Sequence, residues 1–152
     1  MKALNVGIIG FGKMGKIRLK AIEKSGRAKV ISVFDPVQIN ENEGPFTVEK
    51  SAEDVLEAPI DAVFICTPNF LIKDLTNLAL SKGIHVFSEK PLTTCLEEAR
   101  DLTTLATANQ CLISAAPCNL FSDSVRTMQA SILNGDIGVP HVVYAELDDN
   151  PI

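Results

Sequence analysis

Three glycines and one carboxylate carry the most specific chemistry in this chain. Gly10-Phe11-Gly12-Lys13-Met14-Gly15 follows directly on the apolar run Leu4–Ile9. In that setting Gly10 permits a tight turn, Gly12 lets backbone approach a pyrophosphate, and Gly15 lets the next helix pack closely on a sheet. That helix would offer unpaired N–H groups and the positive end of its dipole to an anion. Phe11, Lys13 and Met14 lie between the glycines and belong with them to the candidate cofactor cradle. Asp35 closes the next apolar run about twenty residues past Gly15, where a carboxylate can accept both ribose hydroxyls of an adenosine. A 2′-phosphate would meet like-charge repulsion there, and Pro36-Val37-Gln38 brings no arginine, so NAD(H) is favoured over NADP(H). Enzymes that use S-adenosylmethionine share a similar glycine-rich turn and acidic strand end, and they stay open at this point.

The elements that must position these residues alternate in type. After the first strand, Met14, Ile17, Ala21 and Ile22 make an apolar helical face with Lys13, Lys16, Lys20 and Lys24 off it, and Gly26 stops the helix. Lys29–Phe34 is the second strand, residues 36–45 a polar loop, and Phe46–Val48 a short strand. Ser51 caps a helix ending near Glu57, Asp61–Cys66 reads as a strand buried on both faces, and a helix covers about Phe70–Lys82. His85–Ser88 is the next strand, and Thr94-Cys95-Leu96-Glu97 has the pattern of a capping box opening a helix to about Asn109. Cys111–Ala115 is a strand; Ser122 caps a helix with Val125, Met128, Ile132 and Leu133 on one face, and Gly135 ends it before a last strand at His141–Leu147. This alternation implies an α/β fold with a parallel, doubly wound sheet. The expected division is a dinucleotide-binding domain over 1–120 and, over 121–152, a linking helix with the start of another domain.

Bulk properties narrow the class. With 152 residues, 46% hydrophobic and 22% charged, the chain suits one globular domain. No apolar run approaches the roughly 20 residues of a membrane span. The chain runs straight into its first strand, with no signal peptide expected. Cys66, Cys95, Cys111 and Cys118 form no CxxC and no metal spacing with histidine, so they read as reduced thiols of a cytoplasmic protein with no metal site. A net charge of −5 argues against nucleic acid as a partner. Eight of the fourteen Lys and Arg nevertheless fall in residues 1–30 beside a single acid, Glu23. That basic face is a solvated helix surface and also a field that favours phosphates.

In doubly wound sheets ligands bind beyond the carboxyl ends of the strands. Four such ends carry unusual residues: Gly10–Gly15, Asp35, Cys66-Thr67-Pro68-Asn69 and Glu89-Lys90-Pro91. With the runs CTPN at 66–69 and GIHVFSEKPL at 83–92, this set resembles the N-terminal Rossmann domain of the Gfo/Idh/MocA oxidoreductases, from Val6 to about Leu147. The resemblance implies hydride transfer between NAD and a hydroxyl of a sugar, nucleotide-sugar or cyclitol. It implies that Lys90 lies near the nicotinamide and the reacting hydroxyl, where an ammonium can stabilise a developing alkoxide. It likewise implies that Glu89 contacts the cofactor and that Cys66, Thr67, Pro68 and Asn69 line its cleft. The plainer alternatives are a salt-bridging carboxylate for Glu89, a surface lysine for Lys90 and a helix-capping turn at 67–69.

Two positions depart from the family pattern. Ile72 stands where many members have a histidine, and Ala-Pro-Cys-Asn-Leu-Phe at 116–121 replaces a segment that often holds arginine. Asn119 either faces substrate or turns the chain; His85 and His141 read as structural. Members carry a second domain that supplies further acid/base residues, and Asp136-Ile137-Gly138-Val139-Pro140 resembles the entry to it. The expectation is a cofactor half-site without a complete active site, and an unpaired strand at 141–147 through which a second copy could associate. A non-catalytic dinucleotide-binding or sensor module is the alternative.

Overall fold

The structure is a computed structural model that describes residues 3–37, 39, 44–116 and 121–144. Six strands form one parallel sheet: β1 (Leu4–Ile9), β2 (Ala28–Phe34), β3 (Thr47–Val48), β4 (Ala62–Ile65), β5 (His85–Ser88) and β6 (Ile113–Ala115), in the order β3-β2-β1-β4-β5-β6. The order reverses beside β1, the crevice where doubly wound sheets take their ligands. Helices α1 (Lys13–Ser25), α2 (Ala52–Glu57), α3 (Asn69–Ser81) and α4 (Leu96–Ala108) connect the strands, and α5 (Asp123–Leu133) follows β6. The chain divides into two compact units, Met1–Ala116 with the whole sheet and Pro117–Ile152 with α5.

Alternation along the strands separates two cores. Val6 and Ile8 of β1 pack with Leu19 and Ile22 of α1 and with Val30 and Val33 of β2. Ile9, Val63, Ile65 and Val86 pack instead with Val55 of α2, Ile72 and Leu80 of α3, and Leu102 of α4. Both faces of the central strands are thus covered, which is why β4 reads as an unbroken apolar run. Each fully buried aliphatic side chain contributes roughly 1.5–3 kcal/mol of hydrophobic stabilisation.

Three local features differ from the sequence reading. The buried stripe of α1 is Gly15, Leu19 and Ile22, whereas Ile17 is 44% exposed and Ala21 also faces solvent. The helix must turn Gly15 to the strand, because a Cβ there would lie 2.2 Å from the Gly10 carbonyl oxygen. That constraint rotates the apolar face away from Ile17. The Thr94–Glu97 capping box does not form: Cys95 is the N-cap of α4 with no side-chain cap. Thr93 bonds Glu98 instead, and its hydroxyl also accepts the Cys95 N–H at 3.2 Å. The Thr93 hydroxyl and the Lys73 ammonium together hold Glu98 below the usual carboxylate range. Finally, His141–Tyr144 form no strand, and residues 145–147 of that expected element lie outside the described residues.

Other local expectations hold. Ser51 Oγ accepts the Asp54 N–H at 3.1 Å, and Ser122 Oγ accepts the Val125 N–H at 3.4 Å. Gly26 ends α1 at φ +64°. His85 is structural, its Nδ1 accepting the Leu112 N–H at 3.1 Å. In the second unit, none of the residues of α5 is buried.

Gly15→Ala should therefore destabilise the fold by about 1–3 kcal/mol, the range for overpacking against backbone that cannot give way. Urea unfolding followed by circular dichroism reads this; an unchanged midpoint would mean that α1 can move off β1 freely.

Candidate functional site

Three strand ends meet at the glycine turn. Gly10 N donates to Phe34 O of β2 at 2.8 Å, and Cys66 N donates to Ile9 O of β1 at 2.7 Å. Gly10 adopts φ +90°, and a Cβ there would stand 2.6 Å from the carbonyl carbon and oxygen of Cys66. Any other residue would push the end of β4 away from the turn. Gly12 is different: a Cβ there would meet nothing within 4 Å, so this side of the turn is open. Gly12 is the N-cap of α1, which has no side-chain cap and no acid in its first turn. The first N–H groups of α1 are thus left to an outside acceptor.

Asp35 is bound into the turn. Its Oδ2 accepts the Phe11 N–H at 2.6 Å and its Oδ1 the Val37 N–H at 2.9 Å. The carboxylate, Gly12, Lys13 and Lys16 line one cavity of about 310 Å³. Phe11 itself is a core residue, 3% exposed, its ring edge-on to Phe46 at 5.2 Å. Its backbone serves the turn and its ring the packing. Lys13 is exposed and Met14 half-buried. A wider groove of about 800 Å³ runs along Ser32, Thr47–Lys50 and α2, away from the glycine turn.

The ends of β4 and β5 supply the second half of the site. Cys66 is half-buried; burial, with Glu89 second and opposed by Arg18, pushes its thiol up to about 12, so it stays protonated at neutral pH. Thr67 Oγ1 and Ser88 Oγ are buried without a hydrogen-bond partner among the described residues. Pro68 is the N-cap of α3 and Asn69 its first residue, so no side chain of the 67–69 turn caps that helix. Ile72 is fully buried in the core beneath α3. Glu89 N donates to Ile65 O at 2.8 Å, tying the end of β5 to β4. Lys90 is exposed, its ammonium pairs with none of the described residues, and the Lys90–Pro91 bond is cis. Asn119 lies outside the described residues.

Sequence reasoning missed Arg18. Its Nε and Nη2 donate to Glu89 Oε1 at 2.8 and 2.5 Å, across 71 residues of sequence. The available signal was its phase: in α1 it stands three residues after Gly15 and four before Ile22, on the sheet-facing side.

These residues fit a dinucleotide. The open side of Gly12 and the unsatisfied first turn of α1 suit a pyrophosphate, and Asp35 suits the ribose of an adenosine. No cluster of His, Cys, Asp or Glu that could hold a metal ion occurs among the described residues. None of their helices is long and apolar enough to cross a membrane.

Comparison with known proteins agrees. A family model described as an oxidoreductase family with an NAD-binding Rossmann fold matches residues 4–116. The chain is 31% identical over 140 residues to a scyllo-inositol 2-dehydrogenase (NAD(+)) of Bacillus subtilis, covering 88% of this chain and 41% of that protein. It is 28% identical over 141 residues to an inositol 2-dehydrogenase of Rhizobium meliloti, covering 90% and 43%. The crystal structure of a scyllo-inositol dehydrogenase from Lactobacillus casei, with bound NAD(H) and scyllo-inositol, superposes with a TM-score of 0.82 at 28% identity, covering 90% of this chain and 43% of that one. The chain thus spans about two-fifths of the length of the relatives it matches. With its 3-2-1-4-5-6 sheet and its glycine turn, it belongs to the Gfo/Idh/MocA oxidoreductase family, whose NAD-binding Rossmann domain occupies residues 4–116.

Proposed function

We propose that this chain is the cofactor-binding part of an oxidoreductase that moves a hydride between NAD and a secondary hydroxyl of a cyclitol, sugar or nucleotide-sugar. The observation that carries this reading is the junction of Gly10, Asp35 and Cys66, where an anion cradle, a ribose acceptor and the end of β4 come together. The relatives named for inositol oxidation support the cyclitol class.

Each residue has a stated part in this reading. The first-turn N–H groups of α1 and the backbone of Gly10–Gly15 hold the pyrophosphate, with Lys13 adding positive charge. Asp35 accepts the adenosine ribose hydroxyls and disfavours a 2′-phosphate, which selects NAD over NADP. Cys66, Thr67, Pro68, Asn69 and Glu89 line the nicotinamide end. When bound, NAD would supply a two-electron acceptor for the carbinol hydrogen and its bonding pair, while the hydroxyl proton would pass to water and a carbonyl would form. Lys90 places its ammonium beside the reacting oxygen and stabilises the charge that develops there. The compartment is cytoplasmic, in keeping with the free thiols of Cys66, Cys95 and Cys111. Val142, Val143 and Tyr144, 88%, 70% and 86% exposed, belong to the 141–147 segment through which a second copy pairs.

Titration of NADH fluorescence with the 152-residue chain should give saturable binding with little or no turnover of cyclitols. Absence of saturation at millimolar cofactor would sink the reading, and a thermal shift with S-adenosylmethionine instead of NAD would point to methyl transfer. NADPH should bind at least about tenfold more weakly than NADH, and Asp35→Ser should narrow that gap. In the protein expressed from its complete reading frame, Lys90→Met should keep NADH binding and lower kcat by about a hundredfold or more. Equal kcat in variant and parent would remove Lys90 from the chemistry. Binding without turnover of any polyol in that complete protein would favour the sensor module.

A further inference from the structure

Arg18 stands on the sheet-facing stripe of α1, where an unpaired cation would be costly. It is paired with care. Both of its donors meet the same oxygen, Glu89 Oε1, and the side chains of Arg18 and Glu89 are only 23% and 12% exposed. The guanidinium lies 5.1 Å over the Phe87 ring, which in turn stacks on Phe64 at 4.8 Å. The pair is thus fixed on an aromatic floor formed by the neighbouring strands β4 and β5.

Its position matters for an anion. The Glu89 N–H bonds Ile65 O, in the residue before Cys66, and the Cys66 carbonyl is the group that closes on Gly10. Glu89 thus stands at the end of β5 beside the strand end that abuts the glycine turn, and a pyrophosphate held there would share a poorly solvated corner with its carboxylate. Left alone, Glu89 would oppose a dianionic ligand, and the ligand would oppose Glu89.

Resting on the cofactor reading above, we propose that Arg18 is a positioning residue of the NAD site: its two-pronged bond to Glu89 holds the end of β5 in place and cancels the carboxylate charge that would otherwise repel the pyrophosphate. Without Arg18, Glu89 is a poorly solvated carboxylate with no guanidinium against it, beside the proposed anion site. An amide in its place would keep the side-chain shape and remove the repulsion.

The test is a set of titrations on the full chain with NADH and with adenosine, which carries no phosphate. R18M should bind NADH about tenfold more weakly than the parent chain and bind adenosine like the parent. R18M/E89Q, which leaves no charge stranded and so guards against a misfolded single variant, should regain most of the loss for NADH. R18K should fall between the parent and R18M, since an ammonium balances the charge without the fork. An R18M that binds NADH like the parent, or that loses adenosine as much as NADH, or whose loss E89Q does not relieve, overturns the proposal and leaves a structural clamp. Failure of the parent chain to bind NADH would instead overturn the cofactor reading on which the proposal stands.

Discussion

The approach of α1 to β1 governs this domain. At Gly15 the helix comes so near the strand that one added carbon would stand 2.2 Å from the Gly10 carbonyl. Much else follows from that distance. It sets the rotation of α1, burying Leu19 and Ile22, exposing Ile17 and turning Arg18 toward the sheet. It aims the unsatisfied first turn of the helix at the crevice beside β1, where the strand order reverses. It also keeps Gly10 pressed on the Cys66 peptide, so the end of β4 is held at the same point.

The site is assembled from parts that are distant in sequence and fixed by hydrogen bonds between strand ends. Phe34 accepts from Gly10, Ile9 from Cys66 and Ile65 from Glu89, a row of backbone bonds that sets the ends of β2, β1, β4 and β5 in line. Side chains then add the specific chemistry. Asp35 reaches back to Phe11, and Arg18 reaches across to Glu89. The two acids at the rim are therefore both engaged, one by backbone N–H groups and one by a guanidinium. Lys90 stands apart from them with its ammonium free of any described residue.

Much of this was legible in the chain because the underlying signals are local. Buried parallel strands are short apolar runs, so Asp61–Cys66 and His85–Ser88 declare themselves, and Ser51 and Ser122 cap the helices they precede. What escaped was set by contacts between distant residues or by residues without an apolar signal. Glycine adds nothing to a hydrophobic face, so the pattern of α1 pointed to Ile17 while packing turned on Gly15. Thr94-Cys95-Leu96-Glu97 has the letters of a capping box, yet Thr93 captures Glu98 one register away. The Arg18–Glu89 pair spans 71 residues; the phase of Arg18 in α1 turns it toward the sheet, but nothing local names its partner. The apolar letters at 141–144 predict a strand, but a strand needs a neighbour to pair with, and the described part has none.

The bonds from Phe11 N–H and Val37 N–H to Asp35 bear on how fast the domain works. A loop that must fold around its ligand slows capture, because only a fraction of encounters find it shaped to receive. Here the turn and the end of β2 are tied together by bonds within the chain itself, and the entropy of ordering them is spent in folding. The field of the basic first thirty residues would then assist encounter with an anion, an effect that salt would weaken. Differences in cofactor affinity among such domains would accordingly be written in residence time, in how long the crevice keeps what it has caught.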